Sequence, residues 1–213
     1  MTSNQDKVLK MTERIDVFKL NNGMVVIGEP MEDVGSAAFE MALPCGASTI
    51  PQGCGGAGEV ITDWVFRGAG GRSSKELNDE LDGLGLHRNS SVGSALMAFG
   101  SAMEASTLGR ALELYADIIL RPMLDKEQFE LSRQLVMQEL LSLDDDPRHK
   151  VMLKLFEVFY PKPLGANSLG SVEELDALTP EKTAEIIKRN FCLRDTIFGV
   201  AGKYDFGQVS EAL

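Results

Sequence analysis

Residues 55–68 read GGAGEVITDWVFRG. A glycine-rich turn runs straight into Val60, Ile61, Trp64, Val65 and Phe66, apolar residues at helical spacing, and Gly68 supplies a normal C-terminal stop. The helix predicted there carries Glu59 and Asp63 one turn apart, with Thr62 beside them and no histidine near. Like charges at that spacing repel by about 0.2–0.5 kcal/mol, while a helix N-terminus favours each nearby acid by about 0.3–1 kcal/mol. Ordinary helix-start chemistry therefore accounts for the pair by itself, and only its neighbours can give it another meaning.

Before this stretch, 15–20 and 24–29 are rich in β-branched residues and are joined by Asn21-Asn22-Gly23, a strong hairpin signal. A third strand is predicted over 37–43. After it, Ser73-Ser74 followed by Glu76 predicts a capped helix over 74–83, then strands over 86–91 and 95–102. Leu108, Ala111, Leu112, Tyr115, Ile118 and Ile119 mark one face of a helix that Pro122 terminates. A long helix follows over 126–143, with Phe129, Val136, Leu140 and Leu143 inward. Beyond Asp144-Asp145-Asp146-Pro147, an ordinary helix start, the apolar residues Val151, Leu153, Leu155, Phe156, Val158 and Phe159 continue in another helix. A loop over 160–171, a helix over 181–190, a buried strand over 196–201 and the helical pattern FGQVSEAL complete the chain. This order predicts an α+β domain with a mainly antiparallel sheet covered on one face by helices. Residues 1–14 are expected to form a flexible N-terminal segment and 15–213 a single domain, with a second similar domain expected beyond Leu213.

The 213 residues are 44% hydrophobic and 25% charged, enough for a real core. A net charge of −11 argues against nucleic acid as a partner, because that affinity rests on clustered Lys and Arg. No apolar run has the length of a signal peptide or a membrane span, so a cytoplasmic location is expected. Cys45, Cys54 and Cys192 show no Cys-x-x-Cys spacing and read as thiols in a reducing compartment. His87 and His149, the only histidines, lie on separate elements, and the 144–146 acids lack the alternating ligands of an EF-hand loop.

Four separated blocks, GGAGEVITDWVFRGAGGRSSKEL, LGLHRNSS, LSRQLVMQELLSLDDDP and YPKPLGANSLGSVEELDALTPE, together resemble the N-terminal half of the pitrilysin and mitochondrial processing peptidase family. The resemblance implies a processing-peptidase-like α/β roll, one half of the usual two-domain chain. Active members carry an inverted H-x-x-E-H motif whose two histidines bind Zn²⁺ and whose glutamate activates water. Aligned on Phe66-Arg67-Gly68, the histidine positions are Glu59 and Asp63 and the glutamate position is Thr62; all three are replaced. The distant third ligand is retained as Glu139 in VMQELLSLDDDP. Two helical turns earlier, where active members have a supporting glutamate, this chain has Ser132.

Glu59, Asp63 and Glu139 would offer three carboxylates, a set suited to a hard divalent cation such as Mg²⁺ or Ca²⁺ rather than to zinc. Thr62 cannot take a proton from water near neutral pH, and general-base assistance is worth about 10²- to 10⁴-fold. No catalytic residue and no cofactor are therefore expected here, zinc being the metal of active relatives. The resemblance also places Asn89-Ser90-Ser91 on a strand whose edge receives extended peptides, and backbone pairing there would survive loss of the metal. Three readings compete. The first is a non-catalytic, peptide-binding or partner subunit paired with a catalytic peptidase-family subunit or a second copy of itself. The others are an active metalloendopeptidase with an unusual carboxylate site, and a structural assembly subunit.

Overall fold

The computed structural model describes residues 15–213. The segment expected to be flexible, 1–14, lies outside the described residues. Two strands, β1 (Asp16–Lys19) and β2 (Val25–Pro30), form the predicted hairpin. Asn22 closes its turn by accepting the Met24 amide on Oδ1 at 3.0 Å. β3 (Ser36–Leu43) follows, then the glycine-rich turn and α1 (Ala57–Trp64).

Two short strands, β4 (Gly68–Ala69) and β5 (Arg72–Ser73), pair as a separate two-stranded sheet and lead into α2 (Ser74–Gly83). Ser73 and Glu76 form a complete capping box on α2, as the sequence predicts. β6 (His87–Val92) and β7 (Met97–Glu104) make a second hairpin, followed by α3 (Leu108–Leu120) and α4 (Lys126–Ser142). Then come α5 (Pro147–Phe159), α6 (Val172–Ala177), α7 (Pro180–Asn190), β8 (Ile197–Gly202) and α8 (Phe206–Ala212).

The main sheet has the order β1-β2-β8-β3-β7-β6, with β2–β8 parallel and the other neighbours antiparallel. The α+β class with a mainly antiparallel sheet is thus as expected. One face of the sheet is the core: Ala37, Phe39, Met41 and Leu43 alternate inward on β3, and Phe198 and Val200 do so on β8. Phe39 meets the Tyr115 ring edge-on at 4.8 Å, which seats α3 on the sheet. Tyr115 donates its hydroxyl to Gly100 O at 3.0 Å, and burial pushes its phenol up to about 12.

Asp117 ties the small hairpin to α3. Burial pushes its carboxyl up, but bonds from Arg121 and Arg72 outweigh this and hold it below the usual range. Arg72 reaches it at 2.8 Å and turns its Nε to Glu80 on α2 at 2.8 Å. Two details differ from expectation. The first helix stops at Trp64, four residues before Gly68, because the chain turns there into β4. The second is α6, a short helix capped by Ser171, just past the predicted loop.

Candidate functional site

The glycine turn places α1. Gly56, with φ of +84°, is its N-cap, and a left-handed residue at that point carries no penalty only when it is glycine. A Cβ at Gly170 would stand 2.3 Å from the carbonyl carbon of Gly55, so the 167–171 loop is pressed backbone to backbone on the turn. That approach brings Ser168 to the Glu59 carboxylate.

Glu59 is shifted upward from the ordinary carboxylate range. Its pKa is raised first by burial; the Ser168 hydrogen bond works against the shift, and the neighbouring Glu139 carboxylate adds to it. The structure therefore brings two of the sequence-predicted positions, Glu59 on α1 and Glu139 on α4, within electrostatic reach of each other. Thr62 is buried and donates its hydroxyl to Glu59 O at 2.7 Å, a bond within its own helix.

Asp63 is engaged elsewhere. Its Oδ2 receives Arg67 Nε at 2.5 Å and the Ser132 hydroxyl at 2.5 Å. Arg67 also donates to Gln128 Oε1 at 3.3 Å, so Asp63, Arg67, Gln128 and Ser132 join α1 to α4. Trp64 adds to the same joint: its indole donates to Asp125 O at 2.8 Å, and its ring meets Phe129 edge-on.

These residues do not fit zinc. The positions where the resemblance implies histidines hold carboxylates, and the second is already paired with a guanidinium and hydrogen-bonded by a hydroxyl. Among the described residues, no three His, Cys, Asp or Glu side chains are arranged to hold a metal ion.

Asn89, Ser90 and Ser91 lie on β6, which ends the main sheet and pairs with β7 along one side. All three are exposed. The edge faces α1 across a cavity of about 470 Å³ whose walls include Thr62, Asp63, Arg67, Arg88 and Asn89. Arg88 is held over it by Asn78 Oδ1 at 2.9 Å and Asp82 at 3.1 Å. A second cavity, of about 670 Å³, opens over the glycine turn between Gln52 and the 162–171 loop.

The four motif positions and the edge strand implied by the family resemblance lie on α1, α4 and the end strand β6. Sequence reasoning did not find Ser168 over Glu59 or the use of Arg67. The latter had a signal, since Arg67 stands at i+4 from Asp63, a standard ion-pair spacing. Ser168 is too far along the chain to have one.

Residues 34–171 match the family described as Insulinase (Peptidase family M16). An uncharacterized zinc protease of Rickettsia bellii is 24% identical over 93% of this chain and 48% of its own length. Subunit 1 of the bovine mitochondrial cytochrome b-c1 complex is 24% identical over 99% of this chain and 44% of its own length. The crystal structure of a peptidase M16 inactive domain from Pseudomonas fluorescens superposes with a TM-score of 0.84 at 12% identity, covering 93% of this chain and 49% of that one. The chain spans about half the length of the curated relatives it matches. With a family model that matches more than half of the chain and with this fold, the chain belongs to peptidase family M16.

Proposed function

We propose that this chain is a non-catalytic M16 member, a peptide-binding or partner subunit that works beside a catalytic M16 subunit or a second copy of itself. The observation that carries the reading is the double engagement of Asp63. A carboxylate that accepts Arg67 and Ser132 on one oxygen is a structural ion pair between helices, and it stands where a metal ligand stands in active relatives. Thr62 offers no base, so hydrolysis would lack water activation even with a cation present.

Peptide binding is supported by the open β6 edge. Main-chain pairing needs free amides and carbonyls in register rather than particular side chains, and Asn89, Ser90 and Ser91 leave the edge uncluttered. A cytoplasmic location is also proposed, supported by the three free thiols of Cys45, Cys54 and Cys192. No described helix is long and apolar enough to cross a membrane.

The test is metal content and peptidase activity of the purified chain, measured alone and with a catalytic M16 subunit. The expected result is no stoichiometric zinc and no cleavage of unstructured peptides by the chain alone. Zinc near one per chain, with chelator-sensitive cleavage, would overturn the reading. A metalloendopeptidase with a carboxylate site is the second reading, favoured by the closeness of Glu59 and Glu139. It requires that Glu139→Gln abolish a cation-dependent activity.

A further inference from the structure

The residues of β6 divide between two faces. Arg88 pairs with Ser101 and Ser90 with Phe99 on β7, and both of those partners are buried in the core. Cross-strand neighbours point to the same face of a sheet, so Arg88 and Ser90 stand on the side covered by helices, and His87, Asn89 and Ser91 on the other. The packing agrees. The Arg88 guanidinium lies 6.0 Å from the centre of the Phe66 ring, just past α1, and a Cβ on Gly58 of α1 would meet the Val92 side chain at 3.0 Å.

By the same alternation, a peptide added along the outer edge of β6 would turn every second side chain toward the helices. The residue set opposite Arg88 or Ser90 would stand over the cavity between β6, α1 and α2, with its Cβ about 5 Å from that of its β6 neighbour. Charge decides what that side chain meets. The cavity walls carry two guanidiniums, Arg67 and Arg88, and one carboxylate, Asp63. Asp63 already has Oδ2 engaged by Arg67 and Ser132, so it offers little to an incoming cation.

Arg88 is bound through Nη1 to Asn78 and through Nη2 to Asp82, one bond each. A guanidinium has five N–H groups, so Arg88 can donate to a further carboxylate without giving up either partner. Asp82 does not cancel its charge, because the Asp82 side chain is 69% exposed and pairs of that kind are weak. The Arg88 side chain is itself only 29% exposed, tied to α2 and laid on Phe66, so little freedom is lost when it binds a ligand. Ser74 and Ser90 add hydroxyls beside it. In a chain of net charge −11, the wall of this cavity is a local concentration of positive charge.

We propose that the cavity beside β6 selects extended peptides that carry an acidic side chain, and that Arg88 is the residue that reads it. The proposal rests on β6 being a peptide-binding edge, and it names the class of peptide. Main-chain bonds supply affinity that tolerates any sequence, and the side chain opposite Arg88 supplies the choice. Glu or Asp at that place gains a charge-assisted hydrogen bond, whereas Lys or Arg meets a like charge directly across the strands, which is destabilising. A neutral side chain does neither.

The experiment is fluorescence polarisation with labelled peptides that share one unstructured Thr- and Ser-rich sequence and carry Glu, Gln or Lys at the centre. The Glu peptide is expected to bind about 5- to 30-fold more tightly than the Gln peptide, as a charge-assisted bond at a partly exposed site allows, and the Lys peptide more weakly than either. The Glu advantage should shrink as salt is raised. Arg88→Gln is expected to close the gap between the Glu and Gln peptides, and Arg88→Glu to make the Lys peptide the tightest. Circular dichroism verifies folding, and Arg88→Lys, which keeps the charge, should retain part of the preference. Equal binding of all the peptides to the wild type overturns the proposal and leaves strand addition standing. A Glu preference that survives Arg88→Gln unchanged also overturns it, since the acid would then be read elsewhere. Binding of no peptide at all overturns the peptide-binding reading and this proposal together.

Discussion

The hydroxyl of Ser132 on α4 and Oδ2 of Asp63 on α1 meet at 2.5 Å, two residues at the positions where the family resemblance implies a supporting glutamate and a metal ligand. The two substitutions are complementary. A glutamate at 132 would set a second carboxylate against Asp63, whereas a buried hydroxyl donates to it. The altered motif is thus a compensated set, with Arg67 balancing the charge that remains.

Removing that donor should weaken the α1–α4 joint. Ser132 is fully buried, and a hydrogen bond to a charged acceptor is worth about 1.5–3 kcal/mol. Asp63 is partly exposed and keeps Arg67, so the loss in Ser132→Ala is expected at the lower end, about 1–2 kcal/mol. Urea unfolding measures it, and chelator treatment should leave the midpoint unchanged. A midpoint that falls with chelator would mean that a metal stabilises the fold.

The register between α1 and Glu139 can be tested by rebuilding the site. Glu59→His, Thr62→Glu and Asp63→His together, with Ser132→Glu to supply a supporting glutamate, should produce a chain that holds about one zinc if Glu139 stands at the third-ligand position the resemblance implies. Adding Glu139→Gln to that background should reduce zinc affinity by more than the about 10- to 100-fold typical of outer-shell losses. Equal zinc binding with and without Glu139 would show that the register is wrong.

Most of the fold was legible because its signals are local. The Asn-Gly turn, the Ser73–Glu76 capping box, the apolar face of α3 and the strand β6 each declare themselves within a dozen residues. The β4–β5 pair and α6 are too short to show a period, and the periodicity of α5 shows that it is amphipathic without showing that its apolar face is exposed among the described residues. At the site, Glu59, Thr62, Asp63 and Glu139 were singled out through the family resemblance. Their partners Ser132 and Ser168 come from distant segments, and nothing in the sequence announces which hydroxyl will face which carboxylate.

If β6 receives extended peptides, the affinity lies in main-chain hydrogen bonds. A peptide with two N-methylated amides on its pairing side loses two of them at about 0.5–1.5 kcal/mol each, so binding should weaken on the order of 10- to 100-fold. Asn89→Ala and Ser91→Ala, which leave the backbone intact, should change it little. Fluorescence polarisation with labelled peptides separates the two cases, and equal binding of methylated and plain peptides would exclude strand addition.

Glu59 gives the fold a pH dependence of definite sign. Its folded pKa lies above the unfolded value of about 4.3, because burial and the Glu139 carboxylate disfavour its charge. The folded state then binds more protons than the unfolded state between the two values, so Glu59 lowers stability progressively as pH rises through that window, and its cost is complete above the folded pKa. Glu59→Gln removes the charge and keeps the shape. The variant should be more stable than the wild type at pH 7, and the difference should close as pH falls below about 4.3. Thermal or urea unfolding of both chains from pH 4 to 8 reads this directly. A difference that is constant across the range would mean that Glu59 titrates alike folded and unfolded, and that Glu139 exerts no repulsion on it.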